Sequence, residues 1–576
     1  CFSVGIVLII LISGQYVLLG YHPSDYDYIL AHSWRIYQGE FPYRDFIYLR
    51  TPLSLYLHSL WFFLPENLVL PASRVSLFLQ IGLAASMLQW VLCQNIKSAA
   101  YPFTIFVSCI AFMISVHNFP AMAWHTTDGV FFASIAVAAM FFKSKSPRIE
   151  YFASLVSGIA MALSVMSKQS FIFCALVFAL IQIVRCGHQL GRKSKSKWYS
   201  SPALASLVGA SIPPLSWLFI ALSYGGLAQF FKQLTDNSDP SLLYETAVMN
   251  HYIPIAVTKS LQVKFLLGIL IGVLFVIARK KTSWFFYLSG LVLSGYTFYD
   301  SIREFGVDPS FSSVGGRLLS PVLGAALVML LVLVSSKKSN LANLPESLLL
   351  GVSIAISSGI SWGYQTSLLG MVALIPAAGL MLPKISNRKI YTVSFCIFLI
   401  GTTFMYIQFR QRRNNMVYRN GSRANLTYHL SDIDSKFGRI VTDHRSYMKL
   451  RDLNILIESI GDRPFVVGED FALSYWRFNK PNPLPMDWIL GLEIKNYLPQ
   501  LIKATLEANP VIVGDRDYFN SACTKSNQPY FNEVLKSGVY ELGEKSSFFC
   551  SFVPAEDGRI SSGPKIKPDK ASISVH

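Results

Sequence analysis

The stretch TPLSLYLHSLWFFL, residues 51–64, decides the topology of this chain. It is apolar enough to look like a membrane span. As a helix, however, its fourteen residues reach only about 21 Å, against about 30 Å of hydrocarbon in a bilayer. Counting it as a span would reverse the sidedness of every later loop. It reads instead as a helix lying in the outer interface, with Trp61 and Tyr56 suited to the headgroup level.

That choice is forced by the basic loops. The runs KSKSPR (143–148), RCGHQLGRKSKSK (185–197), RKK (279–281), KK (337–338) and KISNRK (384–389) should all be retained in the cytoplasm, as Lys and Arg flanking membrane helices are. One alternating path satisfies all five. On it HNFPAMAWHTTD (117–128) is outside and Lys97 inside, so 21–72 is a single outside loop. Apolar runs near 1–20, 73–93, 101–117, 127–142, 150–166, 171–185, 201–222, 260–278, 283–299, 318–335, 345–361, 367–382 and 390–408 predict about thirteen spans. The last one ends outside, which places 409–576 there too.

Composition agrees with an integral membrane protein. The 576 residues are 52% hydrophobic and 14% charged, with a positive mean hydropathy of +0.41, far from a soluble single-core chain. The net charge of +17 is what retained cytoplasmic Lys and Arg produce, and nucleic acid is not expected as a partner. The chain begins at Cys1 rather than Met, which implies a missing N-terminal piece. Its first run is too long for a signal-peptide core and lacks a clear cleavage site, so an anchor is expected.

Within 409–555, IESIGDRPFVVGEDFALSYW and LIKATLEANPVIVGDRDYF each predict an amphipathic helix, a turn and a short apolar strand, while GVYEL and SSFFCSFV suit a closing hairpin. A small extracytoplasmic α/β domain is expected, followed by a disordered tail from 556. Six cysteines fall in or beside apolar runs. Cys523 and Cys550 are in the polar region and would pair in an oxidising compartment, with two unpaired thiols the equal alternative.

The first run is followed by YHPSDYDY (21–28), which puts Asp25 and Asp27 at the outer lip of the membrane. A carboxylate there is placed to act as general base on an acceptor hydroxyl or to hold a divalent metal; the plain alternative is a solvated, helix-capping loop.

The line DYDYILAHSWRIYQGEFPYRDFIYLRTPLSLYLHSLWFFL (25–64) resembles the first extracytoplasmic loop of GT-C membrane glycosyltransferases, the superfamily of protein mannosyltransferases and aminoarabinose transferases. The matches are the acidic Asp25 or Asp27 after the first span, Ala31 to Gly39, Pro42 to Phe46, and Thr51-Pro52-Leu53 leading to Tyr56. Asp25-Tyr26-Asp27 stands where many members have Asp-Glu, which leaves open which aspartate is the base. Thr51-Pro52 replaces a double proline. The resemblance is strong over 1–75 and fainter over 117–185.

The resemblance implies an α-helical polytopic GT-C fold in a cytoplasmic (inner) membrane. It also implies inverting transfer from a polyprenyl-phosphate-linked sugar to a lipid, glycan or protein acceptor at the outer face. Arg44, Arg50, Lys168 with Gln169 (at the position of a TKQ-like sequence in similar proteins) and Arg317 are then candidates to contact the donor phosphate. Asp128, with His125 three residues before it, is a candidate second acidic or acceptor site. The plain alternative for Lys168 is a snorkelling lysine at a helix end, and helix capping suits Asp128 equally well. No cofactor is certain; Asp25, Asp27 and Asp128 permit Mg or Mn. Trp362, Tyr364 and Gln365 suit an aromatic belt or a sugar platform, and the loop 223–259 suits acceptor selection. Asn420-Gly-Ser and Asn425-Leu-Thr fit the N-glycosylation pattern. The rivals are a transporter or flippase for a lipid-linked saccharide, and a polymerase or ligase using a lipid diphosphate. Charges gathered at the outer edge, and the lack of an evident repeat, favour the transferase.

Overall fold

A computed structural model describes Leu11 and residues 13–95, 101–117, 119–192, 201–236, 259–281, 343–360, 367–376, 388–415, 417–468, 470–489 and 491–555, with scattered positions between 285 and 328. The chain divides into two compact units, Cys1–Tyr447 and Met448–His576.

The first unit is helical. In chain order it contains α1 (Asp25–Tyr37), α2 (Leu53–Ser59) continued by a 3-10 turn Leu60–Phe63, α3 (Glu66–Asn95), α4 (Tyr101–Ser115), α5 (His125–Met140), α6 (Pro147–Ser167), α7 (Ile172–Arg192), α8 (Pro202–Ser223), α9 (Leu227–Asp236), α10 (Lys259–Lys281), α11 (Asn343–Gly359) and α12 (Arg388–Asn415). Five helical segments among the described residues are long and apolar enough to cross a membrane: Glu66–Gln94, Pro147–Ser167, Gln169–Gly187, Pro202–Ser223 and Thr392–Asn415. The runs 283–299 and 318–335, with most of 1–20, fall largely outside the described residues. The stretch 51–64 is a short apolar helix, Leu53–Phe63. Its Leu55, His58 and Phe62 are buried while Leu60 and Phe63 are exposed.

Helices α5, α6 and α8 pack by small residues. A Cβ on Gly158 would sit 1.8 Å from the carbonyl of Ser206, and one on Gly209 would sit 2.2 Å from that of Leu155, so only glycine lets these backbones approach. Serines lace the same contacts: Ser157 Oγ donates to the Ala136 carbonyl at 2.7 Å, Ser164 Oγ to that of Gly129 at 2.7 Å and Ser206 Oγ to that of Ser154 at 2.8 Å. With no hydrophobic drive between helices in lipid, such close approach and interhelical hydrogen bonding supply the association. Because α5 and α6 are sequential and antiparallel, the start of α5 lies beside the end of α6.

The segment 417–447, expected in the C-terminal domain, groups with the first unit. Val441 pairs with the end of the first run, donating to the Leu18 carbonyl at 3.0 Å and accepting from Gly20 at 2.8 Å. It belongs to β2 (Val441–Thr442), antiparallel to β1 (Tyr428–His429). Buried Asn420 directs Nδ2 at the Tyr21 carbonyl (3.0 Å), Thr442 Oγ1 (3.2 Å), Asp443 Oδ2 (2.6 Å) and Ser446 Oγ (3.0 Å). Hydrogen bonds from Ser446 and Asn420 hold the Asp443 carboxyl below its usual range against the opposing effect of burial, which is the largest single influence.

In the second unit, most of α13 (His444–Ile460) is followed by β3 (Phe465–Val467), and α14 (Leu498–Ala508) by β4 (Val511–Asp515). After α15 (Pro529–Lys536), the hairpin β5 (Tyr540–Lys545) and β6 (Phe549–Pro554) closes a four-stranded sheet in the order β3-β4-β6-β5. β3 and β4 are parallel, with Val466 opposite Ile512; β6 runs antiparallel to both β4 and β5. Cys523 and Cys550 are joined, their Cα atoms 6.1 Å apart. The tail from 556 lies outside the described residues.

Candidate active site

Asp25 and Asp27 open α1 rather than cap it: Ser24 stands at the N-cap without a side-chain capping bond, and both carboxylates are in the first turn, where the helix dipole favours negative charge. Both are buried. Asp27 accepts from the Tyr21 hydroxyl. Asp25 lies 3.7 Å from a guanidinium nitrogen of Arg419, whose other nitrogen donates to Ser24 Oγ at 2.6 Å.

Tyr28, one residue on, joins the aspartates to a cationic wall. Arg50 lies with its guanidinium 4.7 Å over the Tyr28 ring and donates to its hydroxyl. Trp124 packs against Tyr28 at 5.9 Å and against His125 at 4.4 Å, centroid to centroid. The loop carrying Arg50 is stitched to the end of α6 by Thr51 Oγ1 to the Val165 carbonyl (3.0 Å), Ser54 Oγ to that of Ser167 (3.5 Å) and Gln169 Nε2 to that of Leu49 (3.4 Å). Lys168 follows immediately after α6 in an extended conformation. Its Nζ donates to Thr126 Oγ1 of α5 at 3.0 Å.

Lys168 is 6% exposed and makes no ion pair among the described residues. Burial, then the charge of Arg50, pull its pKa down to about 7, since a desolvated ammonium beside a like charge is disfavoured. Buried His125 is part of the same electrostatic neighbourhood, and its Nδ1 has no hydrogen-bond partner. Arg50, Lys168 and an imidazole nitrogen without a hydrogen-bond partner thus share one buried wall, a setting whose chemistry can receive an anion.

Arg44 is elsewhere. It is held by both oxygens of Asp45, at 2.8 and 2.6 Å, is partly exposed and lies over Phe41 and Tyr224. Arg317, Trp362, Tyr364 and Gln365 lie outside the described residues, as does most of the loop 223–259. The described start of that loop, α9, presents Gln233, which accepts from Tyr48 N at 2.9 Å and donates to the Tyr43 carbonyl at 3.0 Å. It thus holds the loop that carries Arg44 and Arg50.

Asp128 is neither a cap nor solvent-facing. It is fully buried in the first turn of α5 and accepts from His58 Nε2 at 3.0 Å and from Gln80 Nε2 at 2.7 Å. His117 is buried, with Arg413 and Arg412 in its electrostatic neighbourhood. Among the described residues no three His, Cys, Asp or Glu side chains gather to hold a metal.

Tyr21, Tyr28, Thr126, His58 and Gln233 escape a reading of the sequence. Tyr21 and Tyr28 lie inside YHPSDYDY beside the aspartates; Thr126, His58 and Gln233 acquire their roles through partners distant in sequence.

No protein-family model and no curated protein sequence matches the chain. Among solved structures it is similar to ArnT from Cupriavidus metallidurans bound to undecaprenyl phosphate, at 10% identity and a TM-score of 0.44, over 96% of this chain and 97% of that one. It is similar also to the same protein in the apo state, at 12% identity and a TM-score of 0.44, over 96% of each chain.

Proposed function

We propose that this chain is a membrane-embedded glycosyltransferase that takes a sugar from a polyprenyl-phosphate-linked donor and passes it, with inversion, to an acceptor hydroxyl at the outer face. The observation that carries the proposal is buried Lys168, without an ion-pair partner among the described residues, beside Arg50 and the unsatisfied His125. That wall connects through Tyr28 to two carboxylates at a helix start.

In this scheme the acceptor oxygen attacks the anomeric carbon from the face opposite the phosphate. Asp25 or Asp27 takes the acceptor's proton as the new C–O bond forms. The bond from the anomeric carbon to the phosphate oxygen breaks, and its electron pair leaves on the polyprenyl phosphate. Lys168 and Arg50 stabilise the charge that builds on that leaving group, in a buried setting where such interactions are strong. The parity of the basic loops and the Cys523–Cys550 bond support the outer face, because disulfides persist in oxidising compartments.

The test is purified protein with a panel of polyprenyl-phosphate sugars, comparing wild type with Asp25→Asn, Asp27→Asn and Lys168→Met. Release of polyprenyl phosphate is expected in the wild type, with turnover lost and donor binding kept in one aspartate variant, and donor binding weakened in Lys168→Met. Full turnover in both aspartate variants and in the double variant would overturn the role of the carboxylates.

A further inference from the structure

A second buried polar cluster lies one helical turn from the cationic wall. His58, on α2, is fully enclosed, as is Asp128 on α5. The Trp61 indole nitrogen donates to His58 Nδ1 at 2.9 Å. An indole N–H is only a donor, so Nδ1 is the unprotonated nitrogen and the proton of a neutral imidazole resides on Nε2. That nitrogen faces both oxygens of Asp128, at 3.0 and 3.2 Å. Gln80, on α3, supplies the second donor at 2.7 Å. Two elements therefore converge on a carboxylate carried by a third, in an interior where an unmatched carboxylate would be costly.

The position of that carboxylate gives the cluster a functional consequence. Asp128 is in the first turn of α5, two residues after Thr126, which accepts from Lys168, and three after His125. Fixing Asp128 fixes that turn, and with it the oxygen that orients the Lys168 ammonium.

We infer that His58 is a positioning residue for donor binding: held in one tautomer by Trp61, it locks Asp128 and so sets the start of α5 against Lys168. The inference rests on the proposed function, since it assigns Lys168 to the donor phosphate. His58 itself touches no reacting atom.

The experiment measures donor affinity and acceptor KM separately, with a polyprenyl-phosphate sugar as probe, for wild type, His58→Gln, His58→Leu, Trp61→Phe and Lys168→Met. Glutamine keeps a donor near the place of Nε2 and should stay within about threefold of wild type. His58→Leu, which leaves Asp128 one donor short, should weaken donor binding about tenfold or more with acceptor KM unchanged. Should His58→Leu fail to fold, Trp61→Phe keeps the packing and frees the imidazole, and is expected to weaken donor affinity about threefold to tenfold on its own.

Donor affinity unchanged in Trp61→Phe and in any His58→Leu protein that folds overturns the inference. So does a parallel fall in donor and acceptor parameters that tracks loss of folded protein. If Lys168→Met loses binding while the His58 and Trp61 variants do not, only the inference fails. If the wild type binds no such donor, the assignment of Lys168 fails, and the inference with it.

Discussion

Raising the pH should switch off donor binding through Lys168. Its pKa is lowered to about 7, so the ammonium is held below about pH 7 and lost above it. A sugar phosphodiester donor carries one negative charge throughout the range used, so its own titration does not intervene. If only the protonated lysine binds the donor phosphate, the apparent dissociation constant scales as one plus ten raised to the difference between pH and pKa. Between about pH 6 and pH 9 that factor grows from about 1.1 to about 100, a loss of roughly ninetyfold, near 2.7 kcal/mol. The assay is equilibrium binding of a polyprenyl-phosphate sugar to protein in detergent or nanodiscs across this range. Lys168→Arg serves as the control, because a guanidinium stays charged throughout. Its pH dependence should be nearly flat. Wild-type affinity that does not change with pH, or an identical slope in Lys168→Arg, would refute the assignment.

Other expectations concern what holds the site. Gln233→Ala removes two buried hydrogen bonds, from Tyr48 N and to the Tyr43 carbonyl, and should cost about 2–4 kcal/mol, read as a lower unfolding midpoint; an unchanged midpoint would mean that the loop is held by other contacts. Gly158→Val forces apart the α6 and α8 backbones. It should abolish a monodisperse peak in size-exclusion chromatography, and normal elution at the wild-type midpoint counts against the packing described. Replacing Cys523 and Cys550 together by serine opens a loop of sequence separation 27. The expected loss is about 3–4 kcal/mol, and thiol labelling of the unreduced wild-type protein at both positions would contradict the bond.

The legible and illegible features of this chain differ for a physical reason. Asp25, Asp27 and Lys168 stand out because an ionisable group beside an apolar run is expensive and therefore conspicuous. The short reach of 51–64 was legible from its length and from the charge parity of loops far away. The alternation of α13, β3, α14 and β4 follows the change of period in the polar region. The His58–Asp128–Gln80 cluster left no such trace. Membrane helices are apolar on nearly every side, so periodicity says little about which polar side chain meets which, and Asp128 read as a cap or an acceptor ligand. Arg44 and Arg50 look equivalent in sequence, yet neighbouring Asp45 engages Arg44 while Arg50 turns inward to Tyr28.

The arrangement around Asn420 bears on how this protein can be made. Asn420-Gly-Ser is a glycosylation sequon, and the atom that would carry the glycan, Nδ2, is the one aimed at Tyr21, Thr442, Asp443 and Ser446. Oligosaccharide transfer in a eukaryotic secretory pathway acts on the chain before it has finished folding, so a sugar added there would occupy the place of those partners and leave the segment beside Asp25 unable to close. Asn425, by contrast, is exposed and would tolerate one. A eukaryotic host therefore risks a misassembled product from a single modification, and removing the sequon at Ser422 rather than at Asn420 is the substitution that keeps both the yield and the site.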